Sequence, residues 1–280
     1  MKKVIKYIIG VLLIVSSVII ICYSGYKTIK VLMNRSNLNN KINEVKSTIV
    51  DKNNNDKLVF MNGYLILNKD LEDREFNVSV RTSKLERIVE VYQYKENRED
   101  DETYSYETDW YSELIDSNNF KNSEYKNPSS IKYKGKTYYN DTYLGAFKLN
   151  NKEINELGCN SRYLDLDSKF ASKNGFKISN QYYTTSKDID LPQIGDIRIS
   201  FKYNSSSSVS ILALQNNNAF DDYKLNDMLI HKVYDKKLTK NDIIKDIYPL
   251  KIVLYIIIIV VSLLLCSILI IMNIKSIKEK

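Results

Sequence analysis

Two acidic clusters are the first candidates for chemistry: Glu99-Asp-Asp-Glu102 and Asp165-x-Asp167. Paired carboxylates can hold a metal ion or divide the roles of general acid and general base. The first cluster lies in a polar stretch beside Arg98, and a run of charges is usually a solvated face. His231 is the only histidine, so a site of several imidazoles is ruled out and a Ser-His-Asp triad would have that one residue to use. Cys159 stands alone between two apolar runs that contain Cys22 and Cys266. One thiol makes neither an intradomain disulfide nor a multi-thiolate zinc site. Asp51-Lys-Asn-Asn-Asn-Asp56 offers oxygen ligands at calcium-loop spacing, but Asp56 stands where the sharp turn needs glycine and Asn62 where a bidentate Glu is required. A polar turn is the expected structure there. There is no Gly-rich phosphate loop, no G-x-S-x-G and no H-E-x-x-H. The chemistry that residue types support is thin, and no catalytic, cofactor-binding or metal-binding residue is assigned.

The elements that would position these residues begin with two apolar runs, residues 8–22 and residues 252–272. The second, at 1.5 Å per residue, is about 31 Å long, enough to cross a hydrocarbon core of about 30 Å. Pro249 precedes it, Tyr248 and Tyr255 suit the interface, and Lys275 and Lys278 end it. The first follows Lys2, Lys3 and Lys6 as a signal peptide would, yet no alanine occurs before Ala146 to make an A-x-A cleavage site. An uncleaved anchor is the expectation, with a cleaved signal as the alternative. Ser262 and Cys266 form a small-xxx-small pair in the second run, a spacing that lets helices approach closely but that also arises by chance.

The net charge of +7 follows the same division. The block from Ser24 to Tyr248 is nearly neutral, and the excess sits beside the apolar runs. Basic residues there read as membrane-surface anchors rather than a phosphate-binding face, and no nucleic-acid motif accompanies them. Two spans with one long loop put both termini on one side, which places the central block on the other.

Within the block, Ile29, Leu32 and Met33, and then Ile42, Val45 and Ile49, fall at helical spacing and predict that the chain stays helical after leaving the membrane. Strands dominate thereafter. Leu85 to Tyr94 is rich in β-branched and aromatic residues, with a faulty alternation that suits a central strand covered on both sides. Ile197, Ile199, Phe201 and Tyr203 alternate with Asp196, Arg198, Ser200 and Lys202, which predicts Ile199 and Phe201 inward and Ser200 and Lys202 outward. Asn204 and the serines to Ser208 then read as a turn, with Val209 to Leu214 returning as the second arm of a hairpin. Leu58 to Phe60, Tyr143 to Leu149 and Lys177 to Thr184 are further strands, Lys132 to Lys136 a turn, and Ser112 to Ile115 and Asn151 to Leu157 short helices.

Three ordered stretches resemble the transmembrane protein 43 family, also called LUMA. The first joins Asp70-Leu-Glu-Asp-Arg-Glu-Phe76 to Leu85-Glu-Arg-Ile-Val-Glu-Val-Tyr-Gln-Tyr-Lys-Glu96. The second holds Tyr104, Tyr106, Trp110, Asp116, Ser117, Phe120, Asn127-Pro128 and Leu144-Gly-x-Phe-x-Leu149. The third is Gly195-Asp-Ile-Arg-Ile-Ser-Phe201 with Val209 to Ala213 and Gln215. The resemblance covers roughly residues 57–220. It implies a large exoplasmic domain after an N-terminal anchor, self-association, organisation of membrane protein complexes, and no established enzymatic activity. It also implies several C-terminal spans, where this sequence has one apolar run.

The positions singled out on that resemblance are Arg87, Glu90, Tyr92, Gln93, Trp110, Asn127, Pro128, Gly195, Asp196 and Arg198. Their first reading is structural. Arg87 and Glu90 lie three apart on a strand and point to opposite faces, so they belong to separate pairs. Trp110 reads as a core anchor, Asn127-Pro128 as a fixed turn, and Gly195 as a tight entry into the hairpin. An interaction surface using Arg198 and Gln93 is the functional alternative.

These observations predict an α+β protein with an antiparallel, β-rich exoplasmic domain between two transmembrane helices. The predicted parts are an anchor (1–27), the domain (28–248), a second span (249–274) and a short basic tail (275–280). The expected function is non-enzymatic scaffolding or self-association in the bilayer. Its partners would be lipid, further copies or other membrane proteins, without nucleic acid. A membrane-anchored enzyme using the acidic pairs and a membrane-anchored ligand sensor stay open as alternatives.

Overall fold

The computed structural model describes residues 2–100 and 103–250, and within the C-terminal apolar run residues 256–258, 260–261, 263–264, 267–268 and 271. The chain divides into two compact units, one made of residues 1–43 with 238–280 and the other of residues 44–237.

In the first unit a single helix runs from Lys2 to Lys41. Within it Val15–Lys41 is long and apolar enough to cross a bilayer. Ile8, Leu12, Val15 and Ile19 lie about half exposed or more, as a helix with lipid for solvent requires. Lys27 Nζ sits 5.3 Å from the Tyr23 ring centre, a pairing suited to the interface. Farther on, Leu38 of the helix and Ile42 just past its end are buried. The short helix Lys240–Ile247, capped reciprocally by Thr239 and Asp242, packs against it and buries Ile243 and Ile244. Arg35 Nε donates to the Tyr248 carbonyl at 2.9 Å. In the C-terminal run the described residues are helical, and Ile256, Leu263, Leu264 and Ile271 are exposed. Ser262, Cys266, Tyr255, Lys275, Lys278 and the tail 275–280 lie outside the described residues.

The N-terminal helix ends earlier than its apolar period suggests. Val45 lies beyond the helix, and its N–H donates to the Phe60 carbonyl at 2.9 Å. Val45 packs against the core of the first sheet, so tertiary burial overrides a short helical spacing. The Asp51–Asp56 stretch is a polar turn: Asp51 caps a single 3₁₀ turn, Lys52–Asn54.

The second unit is built on two seven-stranded sheets whose ladders between strands are antiparallel. The first runs Ala219–Asp221, Ser208–Asn216, Leu58–Leu67, Thr142–Leu144 and Phe147–Leu149, with Lys232–Tyr234 beside Ser208–Asn216 and the two-residue Asn43–Glu44 beside Leu58–Leu67. The second runs Lys177–Ser179, Tyr182–Thr184, Ile197–Tyr203, Lys84–Arg98 and Tyr104–Tyr111, with Ser161–Arg162 and Lys136–Tyr139 attached. Each sheet has its own core. Met61, Leu144, Phe147 and Ile211 fill the first. Phe76, Tyr183, Ile199 and Phe201 fill the second.

The strands 197–203 and 208–216 are therefore not a hairpin. Ile197–Tyr203 pairs with Leu85–Val91, whereas Ser208–Leu214 pairs with Leu58–Tyr64 in the other sheet. Asn204 makes the crossing. It is buried, its N–H donates to the Lys84 carbonyl at 3.0 Å, and its Nδ2 donates to the carbonyls of Gly158 at 2.9 Å and Leu157 at 3.3 Å. Thr82 Oγ1 donates to the Asn204 carbonyl at 2.7 Å. With every polar group of Asn204 satisfied inside, the chain can change sheets through the interior. The run Val209–Ala213 is buried on both faces, and Leu58–Met61 supplies the matching apolar neighbours.

Ile199 and Phe201 point into the core and Lys202 is exposed, but Ser200 is buried as well. Ser200 lies opposite Ile88 in mid-sheet, where larger cross-strand neighbours shield a small side chain. Residues 112–115 are irregular and the local 3₁₀ turn is Ser117–Asn119, so no helix forms at Ser112–Ile115. Tyr143–Leu149 and Lys177–Thr184 each fold as two short strands about a turn. Gly145 makes the first turn with φ +62, and a Cβ there would stand 2.3 Å from the Ser47 carbonyl oxygen.

Candidate functional site

The ten positions singled out in the sequence separate into three groups. Arg87 alone enters the second core. Its side chain is 4% exposed, and Nη1 lies 3.1 Å from the fully buried Asp73 and 2.6 Å from Glu75. Nε donates to the Lys134 carbonyl at 2.9 Å, and the guanidinium sits 4.7 Å above the Phe76 ring. The Asp70–Phe76 stretch thus supplies both the anions and the aromatic face for Arg87. Burial, together with Asp73, pushes the nearby Tyr138 phenol up to about 12.

Glu90, Tyr92, Trp110 and Arg198 meet on the opposite face of the sheet. The register sets Arg198 opposite Glu90 and Tyr92 opposite Trp110. Arg198 Nε and Nη2 donate to the two Glu90 carboxylate oxygens at 2.7 and 2.9 Å, a bidentate fork. The guanidinium lies 4.7 Å from the Trp110 ring and 4.8 Å from the Tyr182 ring, and the Arg162 guanidinium lies 4.1 Å from the same Tyr182 ring. Trp110 is half-buried in this stack and belongs to neither core, which corrects its reading as a core anchor.

Gln93, Asn127, Pro128, Gly195 and Asp196 clamp backbone. Gln93 is fully buried, and its amide bridges the Glu113 carbonyl at 2.6 Å and the Ile115 N–H at 3.0 Å. Asn127 Oδ1 accepts from the Tyr94 N–H at 2.7 Å, while its Nδ2 donates to the Tyr94 carbonyl at 2.9 Å. The side chain imitates one more residue of the ladder just where strand 197–203 has ended. Gly195 takes φ +93, donates to the Tyr92 carbonyl at 2.8 Å, and lies where a Cβ would stand 3.4 Å from Pro128 Cγ. Asp196 closes its own turn, its Oδ2 accepting from the Gln193 N–H at 2.8 Å. Arg198 and Gln93 share no surface, because Gln93 is fully buried and its amide is bonded to the Glu113 and Ile115 backbone.

The acidic candidates do not converge. Asp165 is exposed. Asp167 caps the helix Ser168–Lys173, and the backbone N–H of Phe170, then Asn77, hold its carboxyl below the usual range. Asp100 closes a turn by accepting from Thr103 N–H, and Asp101 and Glu102 lie outside the described residues. Among the described residues no group of three or more His, Cys, Asp and Glu could hold a metal ion.

Sequence reasoning missed the setting of His231. Its ring is almost fully buried between Glu153 at 2.8 Å and Asp222 at 3.1 Å. Glu153 also completes the capping box of helix Asn151–Leu157 by accepting from Asn150 N–H. The Asn-x-x-Glu spacing at Asn150 was the available signal. This cluster ties a helix to the Lys232–Tyr234 region and sets one carboxylate oxygen near each ring nitrogen.

Cys159 is free and half-buried. Burial first, then the neighbouring Glu86, push its thiol up to about 11. Alkylation by iodoacetamide at pH 8 is expected to be far slower than for a free thiol and to accelerate as pH nears 11. Full reaction within minutes at pH 8 would show the thiol to be open and ionised.

A clamped, β-rich domain joined to an apolar helix of membrane-spanning length defines a membrane protein, its singled-out residues spent on holding backbone and on ion pairs. The family model described as transmembrane protein 43 matches residues 80–279, and the chain belongs to that family. Curated relatives include Transmembrane protein 43 of Mus musculus, 30% identical over 55% of this chain and 42% of its own length. The Drosophila melanogaster homolog is 25% identical over 52% and 43%, and the Homo sapiens protein 30% identical over 54% and 40%. The chain thus spans less than half the length of these relatives. No solved structure matches it. The matched residues begin after Asp70–Phe76, so the partner stretch of Arg87 lies before them.

Proposed function

We propose that this is a two-pass membrane protein with cytosolic termini and an exoplasmic β-rich domain that scaffolds membrane protein complexes, by self-association or by holding other membrane proteins. The observation that carries the reading is how the residues singled out in the sequence are used. Gln93, Asn127, Gly195 and Asp196 fix backbone, and Arg87, Glu90 and Arg198 are consumed in ion pairs. Such a domain presents a shape rather than a reactive cluster. The acidic pairs lend the enzyme reading no support, since Asp167 is spent as a helix cap.

The topology is testable with thiols placed in a chain whose native cysteines are replaced by alanine. A cysteine at the exposed Ser207 is expected to react with a membrane-impermeant maleimide on intact cells, and one at Lys278 only after permeabilisation. The reverse pattern would overturn the topology. Scaffolding predicts a complex larger than one chain on native gels of mildly solubilised membranes, and a lone monomer would sink it.

A further inference from the structure

The strand Tyr104–Tyr111 forms one end of the second sheet's strand order. Its inner edge pairs with Val91–Arg98, and among the described residues no other strand pairs with it. In an antiparallel ladder each residue turns its N–H and C=O to the same side. Tyr94 turns both to Asn127, away from this strand, so Tyr94 and Thr108 are a non-hydrogen-bonded pair. By alternation Tyr104, Tyr106, Thr108 and Trp110 aim their backbone groups at the open edge. Asp109 Oδ1 takes the Trp110 N–H at 2.7 Å, and Thr108 is exposed. An eight-residue edge in unbroken register is what proteins normally shorten, bulge or cover.

The edge is also charged. On or beside it stand Glu96, Glu99, Asp100, Glu107 and Asp109 against Lys95, Arg98 and Lys121; Lys95 pairs with Glu107 at 3.3 Å and Lys121 lies over the Tyr104 ring, which leaves the acids in excess. Glu107 and Asp109 share one face of the strand, and Tyr106, Thr108 and Trp110 the other. Self-pairing centred on Thr108 would set Glu107 opposite Asp109 of a second copy, and pairing centred on Glu107 would oppose two glutamates. Like charges directly opposite are destabilising.

We infer that the Tyr104–Tyr111 edge is a β-augmentation site for an extended basic segment of a partner protein, alternating Lys or Arg with apolar residues. Main-chain bonds to Tyr106 and Thr108 supply the pairing, and the basic side chains lie over Glu107 and Asp109. The inference rests on the scaffolding reading and gives its partner a chemistry.

The test is titration of the full-length protein in detergent with a ten-residue peptide alternating lysine and valine, with amide exchange read residue by residue. Saturable binding is expected, with exchange slowed at Tyr106 and Thr108. Thr108→Pro removes an outward N–H at a position where an edge tolerates proline, and it should weaken binding at least tenfold. The double change Glu107→Lys with Asp109→Lys should do the same. Absent binding, equal binding by Thr108→Pro, or slowed exchange elsewhere would overturn the site. A dimer in sedimentation that Thr108→Pro abolishes would assign the edge to a second copy instead. A native-gel complex that survives Thr108→Pro would sink the edge and leave the scaffold standing. A wild type that is monomeric on that gel yet binds the peptide would sink the scaffold alone.

Discussion

Phe201→Ala is expected to lower the stability of the full-length protein in detergent by about 3–5 kcal/mol, the range for a truncated buried aromatic. Phe201 is fully buried, with its ring 5.8 Å from Phe76 and 6.4 Å from Tyr183. The aromatic cluster around Phe76 has further ring contacts to Tyr133, Phe170 and Phe176, so it cannot collapse into the gap without giving those up. The exposed neighbour Lys202→Ala should cost no more than about 0.5 kcal/mol. Denaturant unfolding followed by circular dichroism checks both. A Lys202→Ala effect exceeding that of Phe201→Ala would mean that the strand is read one residue out of register.

Arg87→Met is expected to be comparably severe, about 3–5 kcal/mol, because it leaves the buried Asp73 carboxylate without its cation. The double change Arg87→Met with Asp73→Asn should recover much of the loss, since the uncompensated charge is then gone. If the double variant is no better than the single, the cost lies in lost packing on Phe76 rather than in charge. The same cluster makes a pH prediction. The Tyr138 phenol is pushed up from 10 to about 12, so the folded state keeps a proton that the unfolded state releases. Its stabilising contribution is complete below pH 10 and is lost as pH rises toward 12. Tyr138→Phe should flatten that part of the alkaline stability profile.

Local order was legible where it depended on neighbours in sequence. The period-two pattern of Ile197–Tyr203 gave the buried face at Ile199 and Phe201, and Asn151–Leu157 was readable as a helix. Arg87 and Glu90 were separable onto opposite faces by spacing alone, and the structure gives them different partners. The spacing could not name those partners. Asp73 is fourteen residues from Arg87, and Arg198 is more than a hundred from Glu90. The asparagine of Asn127-Pro128 read as a turn former, whereas its amide extends a β ladder toward Tyr94.

By itself the sequence determined that the chain has an apolar run of membrane-spanning length, the family, the β-rich class and the inward face of the strand Ile197–Tyr203. These follow from composition and from side-chain periodicity, which chain geometry imposes residue by residue. Only the tertiary structure decided that residues 208–216 leave their sequence neighbour for the other sheet, where Val45 goes, and that Ser200 and His231 are enclosed. The reason is physical. Periodicity says which face of a strand is apolar but not which strand will lie beside it. That choice is made by the matching of apolar faces over long separations, and by whether one crossing residue, Asn204, can satisfy every polar group it buries.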